Sequence, residues 1–228
     1  MTALVTASSG KVGREALAQL QSRDVDVRAA SRRSAIPLDW SDPATWPAAL
    51  EGVDRVFLIV PGGDDGHRSV TGLGTAVVEF LDLAQRRGAE RVVLMTALGM
   101  EYAPADVEQR AVELHLQRSD LAWTILRPNW FFQNLTDGPL RALADAHDGL
   151  LRLPTSDAAV SFIDTRDIAA VAVEALLGDH DGREYALTGP QSLTFTDLAA
   201  ACRDSTIPIE QYQPVSEEEF RRAALDLG

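Results

Sequence analysis

The chain has 228 residues, of which 46% are hydrophobic and 24% charged, a balance that excludes disordered, collagen-like and coiled-coil proteins. Its 21 Lys and Arg against 34 Asp and Glu give a formal net charge of −13. Nucleic acid is therefore not an expected partner, because non-specific binding needs many contacts from Lys and Arg to phosphate. No apolar run approaches the roughly 18 residues of a membrane span, so no membrane partner is expected. A single cysteine, Cys202, cannot form an internal disulfide, and we expect a cytoplasmic location.

Short β-rich runs alternate with helical patterns through the first half of the chain. Five runs are typical of strands: Ala3–Thr6, Val25–Ala30, Arg55–Val60, Arg91–Thr96 and Ala122–Arg127. Apolar residues at helical spacing separate them, in Arg14–Gln21, Val70–Arg87 and Asp106–Arg118. Two of the strands are continuously apolar, as parallel strands covered on both faces are. The pattern predicts an α/β fold with a Rossmann-type, doubly wound parallel sheet.

The pattern loosens after Arg127. An aromatic and amide-rich segment, Pro128–Asn134, precedes further predicted elements: helices near Leu140–Ala146 and over Thr165–Leu177, and strands near Ala159–Ile163 and over Glu184–Leu187. Capping patterns at Thr194 and Ser216 predict two more helices. We expect residues 1–134 to form a dinucleotide-binding core. Residues 135–228 are expected to form a small C-terminal substrate lobe mixed with returning core elements.

Two glycines lie between the first strand and the first helix. Gly10 would let a pyrophosphate approach the backbone N–H groups at the helix N-terminus, and Gly13 would permit close packing of helix on strand. Ala7 stands where such loops usually have their first glycine, so we expect a negative φ there. A Walker A loop is excluded because Val12 follows Lys11.

The end of the second strand indicates which dinucleotide is bound. NAD sites place a carboxylate there for the ribose 2′-hydroxyl, whereas arginine suits a 2′-phosphate. The sequence has no carboxylate at that point but has Ser31, Arg32, Arg33 and Ser34. It therefore predicts NADP(H), with two solvated loop arginines as the alternative interpretation.

Several segments resemble the NmrA-like group of atypical short-chain dehydrogenases/reductases. They are Val5–Gly13, Ala30–Arg33, Leu38–Trp40, Val56–Pro61 and Trp123–Asn134. The resemblance extends over about residues 2–220. Leu38–Trp46 is most similar to the subgroup that contains the ergot-alkaloid dehydrogenases, festuclavine and agroclavine dehydrogenase. Relatives in the group commonly continue beyond the position of Gly228 with segments that help to close the substrate lobe.

The resemblance implies a role for each part of the site. The pyrophosphate would lie against Ser8, Ser9, Gly10, Lys11, Val12 and Gly13. The 2′-phosphate would be held by Arg32 with Ser31 or Arg33, the adenine edge would meet Asp39 and Trp40, and the ribose would meet Val60 and Pro61. The nicotinamide would be approached by Thr96, Ala97 and Leu98 and flanked by Pro128. The substrate pocket would be lined by Leu98, Asn129, Trp130 and Phe131.

The sequence departs from the usual short-chain dehydrogenase chemistry. That chemistry uses Tyr-x-x-x-Lys, in which the lysine lowers the pKa of a tyrosine that protonates a carbonyl oxygen. Lys11 is the only lysine of the chain. When Glu113 is aligned with the acidic residue that commonly follows the catalytic lysine, Gln109 takes the lysine position and Ala105 the tyrosine position. The remaining candidates for a catalytic role, Thr96 and Tyr102, are weak, and the four histidines lack the spacing of a metal site.

These observations favour an NADPH-dependent oxidoreductase that transfers hydride to a small apolar electrophile: a quinone, an iminium ion, or an activated carbonyl or alkene. Such acceptors absorb the electrons through their own charge or conjugation, so they do not require a tyrosine acid. The alternative is a non-enzymatic NADP(H) sensor of the NmrA type. A small-molecule substrate is the expected partner, and a homodimer is possible.

Overall fold

The computed structural model describes residues 1–60 and 72–226. The predicted cofactor residue Pro61 lies outside the described residues. The strands are β1 Thr2–Val5, β2 Asp26–Ser31, β3 Ile36–Pro37, β4 Arg55–Ile59, β5 Arg91–Met95, β6 Ala122–Pro128, β7 Leu150–Leu153, β8 Ala159–Val160, β9 Arg183–Leu187, β10 Leu193–Thr194 and β11 Gln211–Pro214. The helices are α1 Lys11–Gln21, α2 Trp46–Ala49, α3 Leu73–Arg86, α4 Glu108–Leu116, α5 Pro139–Asp145, α6 Thr165–Leu177, α7 Phe195–Arg203 and α8 Glu217–Asp226.

A parallel sheet forms the centre of the fold. Within the described part of the chain it has seven strands in the order β3-β2-β1-β4-β5-β6-β9. The chain builds outward from β1 through β2 to β3, then returns to the other side of β1 and continues from β4 to β9. This reversal confirms the predicted Rossmann-type, doubly wound sheet.

The central strands are buried because their side chains are apolar on both faces. Leu58 of β4 is in register with Leu94 of β5, which is in register with Ile125 of β6, and all three are inaccessible to solvent. On one face they join Val77 and Phe80 of α3 in a continuous hydrophobic core. Burial of this kind contributes about 25 cal/mol per Å² of apolar surface, so it stabilises the sheet and the helices packed on it.

The chain forms two compact units. The first contains Met1–Pro128 and Thr165–Leu187, and the second contains Asn129–Asp164 and Thr188–Gly228. The predicted domain boundary after residue 134 stays a prediction, because compactness alone does not define a domain. Among the described residues, no helix is long and apolar enough to cross a membrane.

The second unit has its own small core. Strand β7 pairs in parallel with β11, and β8 pairs antiparallel with β10. Phe162 and Phe195 are fully buried between these elements, with ring centroids 6.1 Å apart. Several aliphatic side chains of the same unit complete this core: Leu135, Leu140, Leu151, Leu153, Leu198 and Ile209.

The capping patterns predicted the helix starts well. Asp42 accepts a hydrogen bond from the backbone N–H of Ala44 and caps the short 3-10 turn that begins at Pro43. Thr194 with Asp197, and Ser216 with Glu219, form reciprocal bonds at the starts of α7 and α8. The strand predicted over Ala159–Ile163 is shorter, because only its first two residues pair with β10.

Candidate cofactor and substrate site

The loop between β1 and α1 is tightly closed. The backbone N–H of Gly10 donates to the carbonyl oxygen of Ala7 at 2.8 Å, and the N–H of Ser8 donates to Ala30 of β2 at 3.1 Å. A Cβ on Gly13 would lie 2.4 Å from the Ala7 oxygen, so the helix packs closely on this loop, while the predicted contact of the helix with the strand at Gly13 stays a prediction. Gly10 is the N-cap of α1 and has no side chain to cap the first turn.

The expected negative φ at Ala7 is wrong. Its φ is +46°, in the left-handed region. The N–H groups of Thr6 and Ser8 donate to Phe57 of β4 and Ala30 of β2, so the backbone is fixed on both sides of Ala7 and must change direction there. A Cβ in that region costs about 1–2 kcal/mol, which explains why glycine is the usual residue at this position.

The turn that contains Arg32 and Arg33, called the basic turn, follows β2. It lies at the same edge of the sheet as the loop between β1 and α1. Arg32 and Arg33 are exposed, and Ser34 holds the turn closed by accepting from the N–H of Ser31 at 2.8 Å. Hydrogen bonds from Ser41 hold the pKa of Asp39 below its usual value, and the charge of Arg32 acts in the same direction. The turn therefore presents two guanidinium groups, with Asp39 close to the first.

Trp40 packs against the core of the first unit. Its ring centroid lies 5.2 Å from that of Phe80 and 6.3 Å from that of Trp46, and its side chain is half-buried. The indole N–H of Trp46 donates to the carbonyl oxygen of Asp39 at 2.8 Å. The segment after β3 is thus fixed by aromatic packing, while contact of Asp39 and Trp40 with adenine stays a prediction.

The remaining predicted residues of the first unit follow the carboxyl ends of β4, β5 and β6. Val60 is buried directly after β4, and Thr96 is buried directly after β5. The N–H of Thr96 donates to Leu126, and that of Leu98 donates to Pro128, both at 3.0 Å. These residues therefore share a sheet edge with the loop and the basic turn, because parallel strands end on the same side.

A buried ion pair lies beneath the ends of β5 and β6, and sequence reasoning missed it. Glu113 of α4 is 0% exposed, and it accepts two hydrogen bonds from Arg127 of β6, at 2.9 and 2.8 Å. It also accepts from Thr96 Oγ1 at 2.6 Å and from Arg110 at 2.7 Å. Arg127 donates further to Glu184 of β9 at 2.6 Å. Helix α4 thus presents a carboxylate to the sheet.

The neighbours of Glu113 determine its ionisation. Burial raises the pKa of this carboxyl, but hydrogen bonds from Arg127, Thr96 and Arg110 outweigh burial and hold the pKa below its usual value. In turn, the hydrogen bond to Glu113 raises the pKa of Arg127. Glu113 is consequently an acceptor at neutral pH and has no proton to give.

The catalytic candidates differ in position. Tyr102 is 86% exposed in a short 3-10 turn, whereas the hydroxyl of Thr96 is buried and bound to Glu113. Ala105 is exposed in the loop before α4, and Gln109 is half-buried in the first turn of that helix. Neither residue type can protonate a carbonyl oxygen in the way that a tyrosine activated by lysine does.

The predicted substrate residues Asn129, Trp130 and Phe131 belong to the second unit. The indole of Trp130 lies at the edge of the phenylalanine core, with its centroid 6.3 Å from those of Phe162 and Phe195. It is nevertheless 44% exposed. Phe131 is half-buried and pairs with Ile163 through an isolated β-bridge. Trp130 is therefore a fixed aromatic ring with an accessible surface.

The first unit fits a dinucleotide. Its loop brings backbone and helix N-terminus together where a Cβ at Gly10 would lie only 3.1 Å from the Ala7 oxygen. The adjacent turn supplies two arginines in a chain whose net charge is −13. Ser8–Gly13 would hold the pyrophosphate and Arg32 a 2′-phosphate, with the hydride supplied by the bound dihydronicotinamide.

Fold and loop together define a nucleotide-binding protein of the Rossmann type. Residues 8–179 match the NAD(P)H-binding family, and the chain belongs to it. It is an NmrA-like, NAD(P)H-dependent oxidoreductase.

Several known proteins are similar to the chain. It is 32% identical over 241 residues to NAD(P)H azoreductase from Xenophilus azovorans, covering 99% of this chain and 81% of that protein. It is 28% identical over 217 residues to agroclavine dehydrogenase from Claviceps purpurea, covering 88% and 72%. The structure of Citrobacter sp. triphenylmethane reductase complexed with NADP(H) has the same fold, with a TM-score of 0.80 and 20% identity over 100% of this chain and 84% of that one.

Replacing Ala7 with glycine tests the strain in the loop. We expect Ala7→Gly to raise the free energy of unfolding by up to about 1 kcal/mol, because the relief of left-handed strain exceeds the entropy cost of glycine. Ala18→Gly is the matched control in α1, where glycine costs about 1 kcal/mol. Urea denaturation of both variants measures the difference. An equal loss of stability in both would contradict the strain at Ala7.

The ion pair predicts a specific dependence of stability on pH. The folded-state pKa of Glu113 is depressed, so its contribution is complete above the ordinary value of 4.5 and is lost as pH falls below it. Glu113→Gln should therefore lower the free energy of unfolding by about 3 kcal/mol at pH 7 and by much less in acid. Glu174→Gln, which breaks only the exposed pair with Arg23, should cost under about 1 kcal/mol. A pH-independent cost for Glu113→Gln would refute this account.

Proposed function

We propose that the protein uses NADPH to reduce a small, largely apolar electrophile: a quinone, an iminium ion, or an activated carbonyl or alkene. The observation that carries the proposal is the charge on the turn after β2, beside a loop built for a pyrophosphate. Arg32 and Arg33 are exposed there, and the turn itself contains no carboxylate. A 2′-phosphate would complete their hydrogen bonding, whereas a ribose 2′-hydroxyl gains nothing from a guanidinium charge.

Exposed apolar side chains in each of the two units support an apolar acceptor. In the first unit Leu98, Tyr102 and Val107 are exposed in the segment after β5, and in the second unit Trp130 and Phe132 are exposed in the segment after β6. Aromatic and aliphatic surfaces of this kind favour apolar, planar molecules. Ligands of open α/β sheets bind at the carboxyl ends of strands, which is where these segments begin.

The chemistry of the acceptor follows from the missing acid. With Gln109 and Ala105 at the positions of the usual pair, the chain lacks its means of protonating a ketone oxygen. A quinone or iminium ion accepts hydride without that step, since the added electrons are absorbed by conjugation or by positive charge. The protein would then act by orienting the acceptor and excluding water.

The named relatives support the same class of acceptor. The azoreductase and the triphenylmethane reductase are named for conjugated aromatic substrates, and agroclavine dehydrogenase for an alkaloid. We expect the activity to be cytoplasmic, and the homodimer stays a prediction. A non-enzymatic sensor is the competing function, and turnover separates the two.

The cofactor preference is tested at Arg32. We expect Arg32→Ala to weaken NADPH binding by about 10- to 100-fold, because a charge-assisted bond to phosphate contributes roughly 1.5–3 kcal/mol, and to leave NADH binding nearly unchanged. Titration calorimetry with both nucleotides measures the two losses. Arg87→Ala removes an equally exposed charge at the C-terminal end of α3 and should affect neither nucleotide. Equal losses for NADPH and NADH in Arg32→Ala would disprove the assignment.

The acceptor chemistry is tested by steady-state rates of NADPH oxidation with a panel of quinones, iminium ions and enones. Gln109→Ala and Tyr102→Phe should each change kcat by less than about tenfold, or 1.4 kcal/mol of barrier, because neither residue donates a proton. Trp130→Ala should lower kcat/KM more strongly, and Trp130→Phe should recover part of the loss by restoring an aromatic surface.

Two outcomes would change this picture. A thousandfold loss in Tyr102→Phe alone, with nucleotide binding intact, would make Tyr102 the acid. Absence of turnover with every acceptor, again with nucleotide bound, would favour the sensor.

A further inference from the structure

We propose that Glu113 is a positioning residue for the nicotinamide end of the site, acting through Thr96; this inference rests on the proposed function. Among the described residues, the two buried charged side chains are Glu113 and Arg127. Two such groups are costly to bury, so their placement under the strand ends requires a compensating geometry.

That geometry links two adjacent strands through one carboxylate. Oε1 of Glu113 accepts from Thr96 Oγ1 at 2.6 Å and from Arg127 Nε at 2.9 Å, while Oε2 accepts from Arg127 Nη2 at 2.8 Å. Thr96 follows the last residue of β5, and Arg127 is the penultimate residue of β6. A single rigid group therefore fixes both strands at their carboxyl ends.

The backbone beyond these anchors is the part predicted to meet the nicotinamide. After Thr96 the chain makes one more bond to β6, from the N–H of Leu98 to the oxygen of Pro128 at 3.0 Å. The residue between them, Ala97, accepts a hydrogen bond from the N–H of Met100 at 3.1 Å. Without the side-chain bond of Thr96, the segment Thr96–Leu98 would be held by backbone bonds alone, so we expect it to shift slightly while the loop at Gly10 and the turn at Arg32 stay in place.

The role is positioning and not proton transfer. Glu113 is the acceptor in all four of its bonds, and the arginines keep it ionised. Typical short-chain dehydrogenases carry a tyrosine and a lysine on the helix to which α4 is predicted to correspond. Here α4 supplies a fixed carboxylate to the sheet. Misplacement of reacting groups by about 1 Å can cost on the order of 100-fold in rate, so a positioning role has a measurable consequence.

The test compares Thr96→Val, Thr96→Ser, Glu113→Gln and the control Glu184→Gln in the full chain. Thr96→Val keeps the shape of the side chain and removes the hydroxyl, so it carries the test if Glu113→Gln does not fold. Glu184→Gln removes a different partner of Arg127, one that makes no contact with Thr96. Two readouts are used: the emission of bound NADPH, which reports the surroundings of the dihydronicotinamide, and kcat with the best acceptor.

We expect Thr96→Val and Glu113→Gln each to lower kcat by about tenfold and to reduce the emission of bound NADPH, while its Kd changes by less than about threefold. Thr96→Ser should restore both readouts, and Glu184→Gln should alter neither. The double variant Thr96→Val/Glu113→Gln should be no worse in kcat than the more affected single variant, because Thr96→Val removes the bond between Thr96 and Glu113 and Glu113→Gln weakens it by removing the charge of its acceptor.

Additive losses in the double variant, or equal effects of Glu184→Gln and Glu113→Gln, would overturn the proposal. So would unchanged emission and kcat in Thr96→Val. If the wild type binds NADPH but reduces no acceptor, the proposed function fails, and the emission data alone then decide the positioning role.

Discussion

The reversal of strand order at β1 is the constraint on which the rest of the site depends. The chain lays β2 and β3 on one side of β1 and β4 to β9 on the other, so the segments leaving β1 and β4 diverge to opposite faces of the sheet. The loop Ala7–Gly13 lies at this divergence. All paired strands of this sheet are parallel, and every segment predicted to contact cofactor in the first unit therefore begins at the same edge.

The charges of the first unit are divided between two environments. Arg32 and Arg33 are exposed on a turn closed by Ser34. Their guanidinium charges therefore interact with solvent and with any anion that binds there. Glu113 and Arg127 are buried, and each depends on the other. Exposed arginines can select a ligand because their desolvation cost is small. The buried pair cannot leave its partners, so it suits the support of a structure and not the recognition of a ligand.

The sequence predicted the order of the elements and the position of the loop because both depend on local patterns. Continuous apolar runs and caps at Thr194 and Ser216 are visible within a few residues. The ion pair was missed because Glu113 and Arg127 lie on different elements, and pairing between elements leaves no periodic signal. Ala7 was misjudged for a different reason. Its φ is set by the hydrogen bonds that hold its neighbours Thr6 and Ser8 to β4 and β2, and this tertiary requirement outweighs the preference of alanine.

The buried carboxylate also defines what α4 supplies to the sheet, on a helix that has no lysine. In typical short-chain dehydrogenases a helix delivers a lysine and a tyrosine to the nicotinamide, and the lysine lowers the pKa of the tyrosine. Here the helix delivers Glu113, which Arg127 and Arg110 neutralise within the fold. Thr96 and the two arginines together occupy both oxygens of this carboxylate, and Arg127 is shared with Glu184. Helix α4 thus contributes a fixed anion to the ends of β5 and β6 and, at Glu113, no proton.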